Sequence, residues 1–364
     1  MKNEEWECRV QGAGARTQVA PTMTVSVLSV SLWRRFSALS VALWLLWAAP
    51  WPASARDTPL LLVLQKKANA LGLYDPQSGA HLWNVEVGVK PHEMALSEGD
   101  RLAFVTDYGV DTYTDTAEGG RTLSIVDIAG ARRVGTIDLG RFRRPHGIVA
   151  GFSSRLYITV DHPAAVLEVD PVSRQVAAEH LLDQQLPHMV AVSKDERYLY
   201  TANAGSGTVS VIDRHAHATA ASVQVGGVPM GLALSRDGRR LYVATRDSNR
   251  IAVVDTENRT VAKQIAVAGS PARVRLMPND EFLLVTLIGS GELAVVATAD
   301  DREVARFKVG AAAEGVTIDT RTGFGYASAQ GANRVVKFSL TDWRPVLDIA
   351  TDASPDPVEV VQVR

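Results

Sequence analysis

The 364-residue sequence contains a single cysteine, Cys8. One thiol excludes an intrachain disulfide framework, a multi-cysteine zinc site and the Cys-x-x-Cys-His motif of haem attachment. The Gly-x-Ser-x-Gly elbow, the Walker-type phosphate loop and the dinucleotide fingerprint are also missing, so neither a serine hydrolase nor a nucleotide enzyme has support in the residues. Charge of one sign is not in excess: 38 basic and 40 acidic residues give a formal net charge of -2. No global positive field would therefore draw the chain onto nucleic acid or anionic lipid.

A long apolar run is lacking as well. The longest, Phe36 to Trp47, falls short of the roughly 20 residues that a membrane helix needs. It follows Arg34-Arg35 and precedes Ala53-Ser54-Ala55, the three-part order of a secretory signal peptide. Residues 23–55 are therefore expected to be a signal peptide cleaved after Ala55, with an uncleaved anchor as the competing reading. Residues 1–22 are acidic and remote from the apolar run. They read as an extension in front of the true start, Met23, and the expected location is periplasmic or secreted. Without residues 1–55 the chain has no cysteine and carries 33 basic and 37 acidic residues, a net charge of -4.

What is present is a repeat. Pro187-His188-Met189-Val190-Ala191-Val192-Ser193 matches Pro229-Met230-Gly231-Leu232-Ala233-Leu234-Ser235, and steps of 42 residues place unit starts at Pro145, Pro187, Pro229, Pro271, Ala313 and Pro355. An earlier unit starts at Pro91, with about 12 extra residues from Tyr108 to near Gly120. Each unit reads as four short strands, as in Leu232–Leu234, Leu241–Ala244, Ile251–Val254 and Val261–Val267, with Ser235-Arg236-Asp237-Gly238 as a tight turn. Four-stranded units at this spacing predict an all-β, seven-bladed β-propeller over residues 56–364. Six blades are complete. The seventh is expected to form when Val358–Val363 pairs with Leu60–Leu64, which also covers two strand edges.

Tyr157-Ile158-Thr159-Val160, Tyr200-Thr201-Ala202-Asn203 and Tyr242-Val243-Ala244-Thr245 each come before a Val-Ile-Asp-like strand, namely Leu167–Asp170, Val211–Asp213 and Val253–Asp255. This pattern resembles the YVTN family of propeller repeats over roughly residues 57–364. No Trp-Asp dipeptide ends the third strand, so the WD-repeat reading fails. The resemblance implies an exported propeller of the periplasm or cell surface. More distantly it extends to propeller domains of quinoprotein and haem-containing oxidoreductases, and related propellers host lactone hydrolysis.

In such a fold the start of strand one and the end of strand two share one face. That face should collect His92, His146, His188, Glu314 and Asp356 from strand starts, and Asp107, Asp161, His162, Asn203 and Arg246 from strand ends. Imidazole with carboxylate suits a transition metal, with His92, His146 and His188 as candidate ligands. The opposing reading is three rings that hydrogen-bond neighbouring loops. Asp111, Asp115 and Glu118 of the insertion read as a solvated, partly mobile lid, without the spacing of an EF-hand. Arg141, Arg143 and Arg144 form a basic loop, read either as a solvated loop or as an anion or single-stranded nucleic-acid contact. His215 and His217, on the opposite face, are expected to be exposed and silent.

The leading expectation is a non-catalytic binding or interaction module for a small ligand or an exported protein partner. The alternative is a metal-dependent enzyme, oxidoreductase or lactonase-like subunit with a histidine-rich site.

Overall fold

A computed structural model describes residues 59–362. The expected leader with its cleavage site, the extension containing Cys8, and Val363 lie outside the described residues. The described chain forms seven four-stranded antiparallel sheets. Blades 1 to 6 begin with the inner strands Pro91–Leu96, Arg143–Ala150, Pro187–Val192, Pro229–Leu234, Pro271–Leu276 and Ala313–Asp319. Blade 7 combines Pro355–Gln362 with Pro59–Gln65, Ala70–Tyr74 and His81–Glu86. Each inner strand packs against its neighbours on both sides, and Pro355–Gln362 touches the inner strands of blades 6 and 1, so the ring is closed. No helix among the described residues is long and apolar enough to cross a membrane.

The expected closure is present: Leu60 faces Val361, Leu62 faces Glu359 and Val63 faces Val358. The 42-residue step is broken in blade 2, where Pro145 faces Val160 while Pro187 faces Asn203 and Pro229 faces Thr245, a register one residue out of phase. The Val-Ile-Asp signature has a local cause. The carboxylate ending the third strand accepts backbone N–H groups of the next turn, as Asp170 does from Val172 and Ser173, and Asp213 from His215 and Ala216.

Apolar residues fill every interface between neighbouring blades. Leu62, Leu73 and Val105 join blades 7 and 1, Phe104, Ile125 and Ile158 join 1 and 2, and Val285, Val253 and Ile251 join 4 and 5. Middle strands such as Ala164–Asp170 are buried on both faces along most of their length, whereas outermost strands such as Gln175–Leu181 alternate. A polar staple recurs nearer the axis. The Thr106 hydroxyl accepts the Glu93 N–H and donates to the carbonyl of His146 in the next blade, both at 2.9 Å. Thr159, Thr286 and Ser328 repeat the arrangement toward His188, Glu314 and Asp356.

The inner strands carry a bulge just after their first residues. It brings the next blade so close that a Cβ at Gly147 would lie 2.5 Å from the carbonyl oxygen of His188. The strict in-and-out alternation of a strand is lost there, so two successive residues per blade are drawn toward the channel.

Candidate functional site

The first channel position brings five expected residues together on five consecutive blades: His188, His146, His92, Asp356 and Glu314, all buried. The rings of His92 and His146 are 4.0 Å apart between centroids, as are those of His146 and His188, while His92 and His188 are 6.5 Å apart. The imidazoles thus form a belt of rings tilted to one another by 41–49°. His92 Nδ1 lies 3.0 Å from Asp356 Oδ2, joining the belt to the acidic arc.

The second channel position supplies residues that the sequence reading did not select. Arg273 of blade 5 crosses the channel and donates to Glu93 of blade 1. Its guanidinium also stands 3.9 Å from Glu314 Oε1 and 3.9 Å from Asp356 Oδ1. Lys66, buried in the first turn of blade 7, places its ammonium 5.8 Å from the centre of the Tyr108 ring. The signal that could have found Glu93 and Arg273 is the column Glu93, Gly147, Met189, Gly231, Arg273, Gly315, Pro357, one residue beyond the histidines. Two opposite charges stand there among small or apolar neighbours.

Several buried polar atoms of this cluster have no hydrogen-bond partner: His146 Nδ1, His188 Nδ1, Arg273 Nη1, Glu314 Oε2 and Asp356 Oδ1. Such atoms are costly to bury, and their convergence marks a place built for further contacts. Among the described residues, His92, Glu93 and Asp356 form the group whose donor atoms could hold a metal, all within 4.8 Å of one another.

Electrostatics follow from burial. It pushes the Glu93 carboxyl up to about 8 against the attraction of Arg273. It also pushes Glu314 up to about 7, with Asp356 adding to the rise. Burial holds His92, His146 and His188 below the usual imidazole range, with neighbouring rings, Arg273 and Lys66 acting in the same direction. Burial alone would raise Asp356, but His92, Arg273 and Lys66 hold it below the usual carboxylate range.

The residues expected from the strand ends have structural partners. Asp107 accepts from Thr122 at 2.6 Å, from Ser124 and from the Gly88 N–H, and Asn203 donates to Thr208 and Ser210. Asp161 accepts from the Tyr108 hydroxyl at 2.8 Å. His162 is exposed. Arg246 pairs with Asp247 and donates to the Tyr113 hydroxyl at 3.0 Å.

The insertion lies over the histidine belt. The Tyr108 ring stands edge-on to His92 and His146, at 5.3 and 5.1 Å. Arg144 is buried and donates to the carbonyls of Asp115 and Ala117, while Arg143 holds Glu118 at 2.6 Å and Lys90 holds Asp111 at 2.7 Å. Arg141 pairs with Glu179. The lid is therefore tied down at several points, and the three arginines of the basic loop are engaged within the protein. On the opposite face His217 is exposed but not idle, since it stacks at 5.3 Å on His180, which is bonded to Glu168.

Away from the lid the channel holds a cavity of about 520 Å³. It runs from Glu93 and Arg273 along the inner strands to Leu96, Ala150, Leu234 and Leu276, toward the turns that join strands one and two. Arg275 and Glu359, paired at 2.7 Å, also line it. Access to the cluster is thus from the face opposite to the lid.

Comparison with known proteins agrees with the architecture. The chain is similar to the periplasmic gluconolactonase of Pseudomonas aeruginosa, with a TM-score of 0.68 and 18% identity, covering 84% of this chain and 100% of that one. It is similar to hydrazine synthase of Kuenenia stuttgartiensis, with a TM-score of 0.66 and 16% identity over 76% and 91% of the two chains. A putative 6-phosphogluconolactonase of Bacteroides uniformis gives 0.68 and 14% over 83% and 99%. At these identities the likeness is one of fold. No protein-family model and no curated protein matches the sequence.

Proposed function

We propose that this protein is an exported propeller of the YVTN type that binds a small polar ligand in the cavity at the unlidded end of its channel. The observation that carries the reading is the cavity of about 520 Å³ ending on the Glu93–Arg273 pair and walled by Arg275 and Glu359. Its volume is that of a small-molecule site. Guanidinium groups beside carboxylates offer donors and acceptors side by side, the pattern that hydroxyl groups and a ligand carboxylate can satisfy together. Met94, Met189 and Leu232 add apolar wall for a carbon skeleton. The cavity entrance replaces the histidine face as the binding mouth, because the lid covers that face.

A sugar acid or its lactone fits this chemistry, and two of the similar folds carry lactonase names. The test is calorimetric titration of the folded chain with D-gluconate and D-glucono-1,5-lactone. One-to-one binding that weakens at least about tenfold in Arg275→Ala is expected, a loss of about 1.4 kcal/mol. Absence of heat with both compounds, in protein shown to be folded, would set the sugar-acid reading aside.

The catalytic alternative is favoured by one feature. Glu93 lines the cavity with a carboxyl pushed up to about 8, in the range that suits a general acid or base near neutral pH. Release of acid from glucono-1,5-lactone faster than in buffer, lost in Glu93→Gln, would move the assignment from binding to lactone hydrolysis.

A further inference from the structure

We infer that the inner end of the channel is a binding site for one divalent transition-metal ion, held by His92, Glu93 and Asp356. This goes beyond the ligand-binding reading and does not depend on it. The three donor atoms lie within 4.8 Å of one another and all three residues are buried. Donors around a metal with bonds of roughly 2.0–2.2 Å stand about 3.3 Å apart, so an inward shift of about 1.5 Å closes the site. One imidazole with two carboxylates is the mixed nitrogen and oxygen set that suits zinc, cobalt, manganese or ferrous ions.

Two further observations point to a cation. Asp356 is fully buried, its Oδ2 takes Gln330 and lies beside His92, and its Oδ1 has no partner. Three buried carboxylates also face one guanidinium: Glu93, Glu314 and Asp356 around Arg273, with Lys66 beyond. Ionised, they carry more negative charge than the cluster can balance. A divalent ion taking Glu93 and Asp356 leaves Arg273 to turn toward Glu314, 3.9 Å away. The ion then balances the two carboxylates it binds and Arg273 balances Glu314, as burial demands. Gln330 on Asp356 is the outer contact that fixes a ligand's orientation. Glu93 borders the cavity, which gives the ion a route in and leaves a coordination position facing it.

Arg273 is thus the internal competitor of the metal. The experiment titrates chelator-treated, chelator-free protein with cobalt(II) and follows the visible bands, then repeats the titration with zinc on protein labelled with nitrogen-15 histidine. One cobalt per chain is expected. The ring nitrogens of His92 should shift with zinc while those of exposed His81, His215 and His217 stay in place. Asp356→Asn should weaken binding at least about tenfold. Arg273→Met, by releasing Glu93, should tighten it. No binding of either metal to folded wild-type protein overturns the proposal. So does zinc binding that moves only the exposed histidines, or cobalt affinity unchanged in Asp356→Asn. The wild-type measurements stand if a variant does not fold, and gluconate binding without metal would leave the ligand site intact while removing the metal.

Discussion

Arg273 donates a hydrogen bond to Glu93 across the channel, from inner strands three blades apart around the ring. Both side chains are buried, so the pair links distant blades across the axis.

Removing the guanidinium leaves three carboxyls in a dry site. Arg273→Met is expected to lower unfolding free energy by about 3–5 kcal/mol at pH 8.5, the cost of an orphaned buried charge. The loss should be smaller at pH 5.5, where the carboxyls take up protons instead. Urea unfolding at the two pH values checks this. An equal loss at both would mean that Arg273 acts through packing alone.

Glu93 should make stability fall as pH rises. Its folded value, about 8, exceeds the ordinary 4.5. Between those values the folded chain holds a proton that the unfolded chain has released, so the contribution is complete below about 4.5 and lost as pH rises through about 8. The lowered histidines act oppositely, their contribution being present above about 6.5 and lost as pH falls below it. From pH 6.5 to 8.5 the melting temperature should therefore drop, and Glu93→Gln should flatten the profile. A slope that survives the substitution would assign the drop to another group.

The hydroxyl staple at Thr106 should be worth more than one ordinary hydrogen bond. Thr106→Val keeps the shape but strips partners from the Glu93 N–H and the His146 carbonyl, so about 1–3 kcal/mol should be lost. Chemical denaturation of Thr106→Val and Thr286→Val reads the effect. Losses within about 0.5 kcal/mol of zero in both would remove the staple from the account of ring closure.

The lid depends on Arg144, whose guanidinium gathers the carbonyls of Asp115 and Ala117. Arg144→Ala should speed hydrogen exchange of amides 109–119 by at least about tenfold, with little change in the outer strands of blades 3 to 6. Exchange speeded evenly over all blades would show that Arg144 supports the global fold instead.

The sequence by itself determined the blade count, the split seventh blade and the site of the insertion. These features rest on local patterns that recur, such as Pro187-His188 against Pro229-Met230 and the turn-capping aspartates, and the repeat forces each copy into the same short-range geometry. It also placed His92, His146 and His188 on one face. The tertiary structure alone decided what those residues do. The bulge turns residues 92 and 93 both toward the axis, against the alternation a strand implies, so Glu93 and Arg273, 180 positions apart, meet across the channel. The insertion folds back over the histidines, and Arg144, Arg143 and Lys90 tie down a lid that was expected to be solvated and partly mobile. Contacts of this kind depend on how seven blades close around an axis and on burial that sets each proton, which no local pattern encodes.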